Sequence, residues 1–440
     1  MRKTNLLLCF LLILAGSVPA QGIFDNAVGG EDQSAPFEFN GYLRSPFFIG
    51  RIPDGSAADL KSVYGEFSLK LKAVKQSWGD AFAETRFRRG KEFGGRINEV
   101  NLREAYINTY LGPIDLRIGH QIIVWGRADG VNPTDNLTPK NMLVRSPNED
   151  DRREGNFCLR ASAQLHPLRI EAIWVPVYRS SVLPTGLMGF PSGIVLGESD
   201  EPVARMDNGA LAFKANLELA AFDASVSYFN GFNPLPGLAA EFPSFPGEPI
   251  TVFPKAYRMD VWGMDFSTTL GGAIGLRGEA AYTNPREKES NDIHIPNSNI
   301  QIILGLDKEF TGEWSVILQY IGRHVFSFED VIFPTDPMLL PGYELVIKNR
   351  LLASQQYATS HSVSLRAAKI FWHEVMSAEI AARINLTSEE YLIRPKLTYD
   401  IADALTATVG GEYYSGPRGT LFDLIGSHLS SLFAELKLSF

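Results

Sequence analysis

Apolar and polar side chains alternate with a period of two along most of this chain. Val63, Gly65, Phe67, Leu69, Leu71 and Ala73 interleave with Tyr64, Glu66, Ser68, Lys70 and Lys72. The same period runs through 157–165, 211–219 and 274–282. Successive side chains that point to opposite faces predict strands with one apolar and one polar face. Eighteen segments carry the pattern: 37–44, 62–74, 78–88, 100–111, 114–124, 155–165, 167–178, 208–219, 221–231, 256–270, 272–283, 299–308, 313–325, 358–368, 374–384, 389–399, 404–414 and 428–440. Tight links such as Gly112-Pro113, His166-Pro167, Ala220 and Gly271 take turns with long ones at 125–154, 179–207, 232–255 and 325–357. After residue 20 no run approaches the ~18 to 20 apolar residues that a membrane-crossing helix needs. The fold expected is all-β: a transmembrane antiparallel barrel of about 18 strands with short periplasmic turns and long extracellular loops.

A secreted β-sandwich or β-helix would also alternate, with its apolar face turned to a core. Two features favour the membrane. Trp314, Phe222, Tyr399 and Phe440 fall near one rim of the apolar face, and Tyr391 and Tyr413 near the other, as interfacial girdles do. The chain also stops inside a strand, with Leu432, Ala434, Leu436, Leu438 and Phe440 alternating up to the carboxylate. A soluble protein rarely ends on an unpaired apolar edge. Some residues resist the scheme. Pro395 predicts a bulge or a shortened strand at 389–399. Val175, Ile303, Ile317 and Leu392 put apolar groups on the polar face, which an inward-folded loop or a misplaced register would explain.

The start of the chain adds a location. Arg2-Lys3, an apolar run from Leu6 to Ala15 and Val18-Pro19-Ala20 read as a cleavable signal peptide over 1–20. A short periplasmic segment, 21–36, would then precede the barrel at 37–440, too short for a globular plug. Cys9 leaves with the signal and Cys158 remains alone, so no intrachain disulfide can form. Removing Arg2 and Lys3 from 41 basic residues leaves 39 against 50 acidic, a net −11. No basic face marks a nucleic-acid partner. The location expected is the outer membrane of a Gram-negative bacterium. The partners expected are its lipids, the outer-membrane assembly machinery acting on the strand that ends at Phe440, and a small or polymeric solute.

If lipid meets the apolar face, the other face lines the interior. It carries Lys70, Lys72, Arg86, Arg117, Arg160, Lys214, Arg277, Arg366, Arg383, Arg394 and Lys396. Its acids are Glu66, Glu84, Glu104, Asp115, Glu171, Asp223, Asp265, Glu279, Glu379 and Glu412. Such a balance fits a hydrated pore lining or, just as simply, charges that pair with each other. Eighteen strands enclose more space than side chains fill, so something must narrow it. The loop 125–154 is the candidate constriction, through Trp125, Arg127, Asp129, Asp135, Asp150, Asp151, Arg152 and Arg153. Its plain alternative is a solvated surface loop.

Three motifs carry a resemblance: Leu102-Arg103-Glu104-Ala105-Tyr106, then Asp115-Leu116-Arg117-Ile118-Gly119-His120-Gln121, then Val124-Trp125-Gly126-Arg127-Ala128-Asp129-Gly130. With Ile173-Trp174-Val175-Pro176 they make about 100–178 resemble a proteobacterial outer-membrane β-barrel family catalogued as a domain of unknown function, itself distantly similar to the alginate-export porins. The resemblance implies an eighteen-stranded barrel that transports. It also implies, through the alginate-export porins, a cationic lumen drawing a polyanion outward, although the charges here are less one-sided.

Catalytic signatures are lacking. None of the seven histidines stands at metal-ligand spacing, no Gly-x-Ser-x-Gly occurs, and Ser360-His361 and Ser427-His428 would point to opposite faces of a strand. No enzyme activity, cofactor or metal is expected. The function expected is a porin-like channel for hydrophilic or anionic solutes, with polysaccharide export as its narrower form. A conduit for lipids or apolar compounds is the alternative, motivated by the Phe- and Pro-rich segments 183–191, 232–254 and 331–341. A barrel-rim hydrolase and a structural barrel stand behind it.

Overall fold

A computed structural model of the chain describes residues 37–51, 58–75, 79–243, 248–286, 288, 292–336 and 339–440. The expected signal peptide and the segment 21–36 lie outside the described residues. In chain order the strands begin β1 (Phe37–Arg51), β2 (Ala58–Lys75), β3 (Gly79–Glu92), β4 (Gly95–Leu111), β5 (Ile114–Gln121), β6 (Asn156–Leu165) and β7 (Leu168–Val175). Next come β8 (Ile194–Leu196), β9 (Ala210–Glu218), β10 (Phe222–Phe232), β11 (Gly237–Glu241), β12 (Ile250–Lys255), β13 (Arg258–Leu270) and β14 (Ile274–Pro285). The last are β15 (Asn299–Phe310), β16 (Trp314–Val325), β17 (Thr359–Phe371), β18 (Met376–Asn385), β19 (Glu390–Ala402), β20 (Leu405–Ser415) and β21 (Ser431–Ser439). Helix α1 (Leu340–Leu352) lies between β16 and β17, and α2 (Leu421–Leu429) between β20 and β21.

Eighteen of these strands make one antiparallel sheet, and β1 pairs with β21, so the sheet closes into a barrel. Closure satisfies the edge hydrogen bonds that hydrocarbon cannot. Along β21 the alternation is plain: Leu432, Leu436 and Leu438 are exposed on the outer face, while Ser431, Phe433 and the Glu435 side chain are buried inside. The interior thus carries the polar face and the exterior the apolar one, the inverse of a soluble core. Each of the eighteen expected segments corresponds to one barrel strand.

Several details differ from expectation. β1 continues past residue 44 to Arg51 through a register shift at Phe48/Ile49. β5 stops at Gln121 and β7 at Val175, because the chain there turns into loops that fold over the interior. Pro395 makes no bulge. β19 keeps its register with β18 at Ile380↔Pro395, while on the β20 side the pairing lapses after Ile393↔Tyr413 and resumes in register at Lys396↔Gly410. The missing proline donor is absorbed by a local gap rather than an inserted residue. Residues 421–429 are helical, so Ser427-His428 lies on α2 and not on a strand.

The long outer connections build a structure of their own. β8, β11 and β12 form a separate three-stranded sheet. With α1 and α2 they enclose Leu183, Met188, Leu238, Val252, Leu345 and Ile425 in an apolar cluster. Lys348 Nζ on α1 donates to the carbonyl oxygens of Met188 and Gly189, and the Asn349 amide bonds both the N–H and the carbonyl of Leu238.

The seam that closes the barrel rests on a close approach. Gly41 and Phe440 exchange two backbone hydrogen bonds of 3.0 Å, and the Phe440 ring stacks on Phe67 at 6.0 Å. A Cβ at Gly41 would stand 2.3 Å from the Ser68 carbonyl oxygen and 2.6 Å from the Phe440 ring. Gly41→Val is therefore expected to open the seam and leave most of the protein unfolded on refolding in detergent. Its loss of a compact, heat-modifiable band on a denaturing gel, against full retention by Gly65→Val, where the Cβ space is empty, checks this.

Candidate functional site: a loop tied across the barrel interior

The segment 122–155 joins β5 to β6 and bonds to strands on all sides of the interior. Its first part stands on an apolar footing. Ile123, Trp125 and Leu137 pack with Cys158, Ile173, Val175, Phe229, Met259 and Val261 of the wall. Val175 thus faces inward as part of this contact. Trp125 Nε1 donates to Glu171 at 2.8 Å, and Glu171 also accepts from Arg160 Nε at 2.5 Å. Lys214 lies 5.8 Å from the Trp125 ring centroid and pairs with Asp265 at 3.0 Å. At the loop's root Glu104 accepts the Ile122 N–H at 2.9 Å.

One wall carboxylate holds the turn that follows. Glu279 accepts from the N–H groups of Arg127 (3.0 Å), Ala128 (3.2 Å) and Thr134 (3.0 Å) and from the Thr134 hydroxyl (2.7 Å). Gly126, at φ +98°, permits this approach, since a Cβ there would lie 2.5 Å from the Glu279 carboxylate. Arg127 reaches Asp265 at 2.5 Å. Arg277 binds Asp307 at 2.7 Å and the Arg127 carbonyl at 3.3 Å. Asp129 takes Arg366 at 2.8 Å, and Arg366 shares Glu379 with Lys396.

The far limb, 145–154, sits in a buried ion network. Asp151 accepts from Arg44 at 2.6 Å and Arg86 at 2.9 Å, which are also paired with Glu66 and Glu84. Burial alone would push the Asp151 carboxyl up, but the two guanidinium groups hold it well below the usual carboxylate range. Arg145 and Arg394 both clasp Glu412, at 2.7 and 3.1 Å, and Arg394 also reaches Glu149. Arg153 bridges Asp135 (2.6 Å) and Asp150 (3.1 Å), while Arg152 donates to the Val144 carbonyl. A register shift in the β3–β4 pairing leaves Arg103 without a partner residue, and its side chain caps the carbonyls of Asp150, Asp151 and Arg153. Bulges re-aim side chains in this way.

The loop has open space on both sides. On the outer side a cavity of about 450 Å³ is lined by Asn132, Lys140, Gln301, Arg323 and Arg383 among others. On the inner side one of about 610 Å³ is lined by Arg127, Asp223, Arg277 and Asp307. Arg323 donates only to the Ala353 and Ser354 carbonyls and the Gln301 amide oxygen. Arg383, two strands away, makes neither ion pair nor hydrogen bond among the described residues. Of the other expected lining residues, Arg117 donates to Asn108 at 2.6 Å over the Tyr106 ring. Lys72 pairs loosely with Glu38 at 3.6 Å, and Lys70 is half-buried nearby.

Arg44, Arg88, Arg103, Arg145, Arg323, Asp307 and Glu435 are among the interior residues that sequence reasoning passed over. Arg323 shares strand parity with Gln319 and was visible on that ground. Arg145 lay in a segment with no periodicity to read. The apolar residues of 183–191 and 232–254, including Leu183, Met188, Leu238 and Val252, are taken up in the outer cluster.

No protein-family model matches the chain, and no curated protein does. Solved structures do. OccAB1 of Acinetobacter baumannii superposes with a TM-score of 0.54 at 10% identity, over 92% of this chain and 96% of that one. OccAB3 of the same organism gives 0.53 at 10% identity, covering 92% and 99%. OpdL of Pseudomonas aeruginosa gives 0.51 at 10% identity, covering 92% and 98%. At this identity the likeness is one of fold, and the chain has a porin-like transmembrane β-barrel fold of eighteen strands.

Proposed function

We propose that the protein is a passive outer-membrane channel for small hydrophilic solutes, favouring anions, with residues 125–154 as its constriction. The observation that carries this is a loop tied across the interior between two cavities, the outer one faced by Arg323 and Arg383 with no carboxylate bonded to either. Interior cations bonded to acids contribute little net field, so Arg323 and Arg383, to which no carboxylate is bonded, weigh most in the potential an entering solute meets. The pore-lining role belongs on this reading to Lys70, Lys72, Arg117 and Arg383, while Arg86, Arg160, Lys214, Arg277, Arg366 and Arg394 chiefly fix the loop and its supports. Export of an acidic polysaccharide would call for a continuous track of free cations. The pairing of those six residues argues for a small solute instead.

Planar-bilayer recording tests the reading. Steady conductance with a reversal potential favouring anions is expected, and Arg383→Ser should lower the anion-to-cation permeability ratio by about twofold. A silent bilayer combined with lipid transfer between vesicles would instead favour the apolar conduit.

A further inference from the structure

The outer ends of β3 and β4 present three cations on the lipid-facing side of the barrel. Lys91 lies directly opposite Arg96, and Arg89 opposite Asn98. All three cationic side chains are exposed. Among the described residues none of them makes an ion pair or hydrogen bond. Like charges directly opposite each other repel, and among the described residues no acidic side chain is bonded to any of the three. One step toward the membrane centre the same face turns apolar, with Phe87 opposite Val100 and then Leu102. Val100 is 70% exposed. Around the same rim Arg286 is neutralised by Asp260 at 2.5 Å. At the opposite rim Lys308 and Lys369 lie over the Phe310 and Trp314 rings.

We propose that Arg89, Lys91 and Arg96 dock the phosphorylated sugar headgroup of an anionic glycolipid in the outer leaflet, with its acyl chains lying along Phe87, Val100 and Leu102. This rests on reading the chain as an outer-membrane barrel. Two residues along a strand advance about 7 Å, so the cations sit just beyond the apolar band, at the height where a headgroup meets its chains. Guanidinium groups chelate phosphate through parallel N–H bonds, and the ammonium adds a point charge.

The test uses the whole mature protein in phosphatidylcholine vesicles doped with bisphosphorylated lipid A, or with lipid A stripped of both phosphates. Native mass spectrometry then counts the lipid A retained per barrel. Retention of the phosphorylated lipid alone is expected. Arg89→Ser/Lys91→Ser/Arg96→Ser should weaken it on the order of a hundredfold. Arg89→Lys/Arg96→Lys should restore most of it, and Lys308→Ser/Lys369→Ser should leave it as in the wild type. Equal retention by the triple variant, or equal retention of the stripped lipid, overturns the proposal. Heat-modifiable migration on a denaturing gel confirms that the triple variant is folded. Conductance recorded on the same samples judges the channel reading separately, since a silent wild type that keeps its lipid refutes only that reading.

Discussion

Glu279→Ala is expected to raise single-channel conductance several-fold and to make the current noisy. The Glu279 side chain is buried and takes four hydrogen bonds from the loop. Bonds to a charged acceptor contribute about 1.5 to 3 kcal/mol each, so their joint loss removes several kcal/mol from the docked state even after allowance for water replacing them. Three of the donors are backbone N–H groups with no other partner in the turn, and leaving them unmet in a confined interior adds to the cost. Arg127 and Asp129 still hold Asp265 and Arg366, so the turn should loosen rather than leave the barrel. Glu279→Gln keeps the shape and one acceptor oxygen, and should fall between wild type and Ala. If Glu279→Ala conducts as the wild type does, residues 126–134 are not the restriction.

The strands were legible because two solvents read them. Hydrocarbon and water select opposite faces, and the period of two survives wherever both are present, as along β2 and β21. It fails where neither solvent acts. The loop's anchors lie far apart in the chain, Arg127 and Asp265 being 138 positions apart and Arg127 and Glu279 152, so no local pattern records them. Arg103 was hidden by its bulge, which puts it and Glu104 on the inner side where alternation assigns them to opposite faces. α2 had a signal that was missed. Thr420 caps it by accepting the Asp423 N–H at 3.3 Å, and Leu421, Leu424 and Ile425 recur at helical spacing. The alternating tail from Ser431 onward obscured it. The balance of interior charges was legible, but which of them stay unmatched depends on geometry. Arg383 and Arg277 look alike in sequence, yet only Arg277 has an Asp307 beside it.

Asp151→Asn is expected to undock the far limb of the loop at every pH, whereas the wild type should stay docked well into acid. The carboxyl of Asp151 is held below its ordinary value in the folded state, burial opposing and Arg44 and Arg86 outweighing it. A group depressed in this way stabilises the fold fully above its unfolded value, about 4, and that contribution is lost only as pH falls toward the folded value. The share of the amide protection of 145–154 that Asp151 supplies should therefore be constant from pH 7 to about 4 and should fade only below that. The amide side chain of the variant carries no charge at any pH. Arg44 and Arg86 would then keep Glu66, Glu84 and Glu435 on the wall but lose the carboxylate that bridges them, so the limb gives up both of its buried ion pairs at this point. Breaking such a pair from one side costs about 3 kcal/mol or more, equivalent to a fall of roughly a hundredfold in exchange protection across the limb. Protection unchanged in Asp151→Asn would mean that Arg145, Arg394 and Glu412 hold the limb by themselves, and Arg145→Ala in that background should then release it.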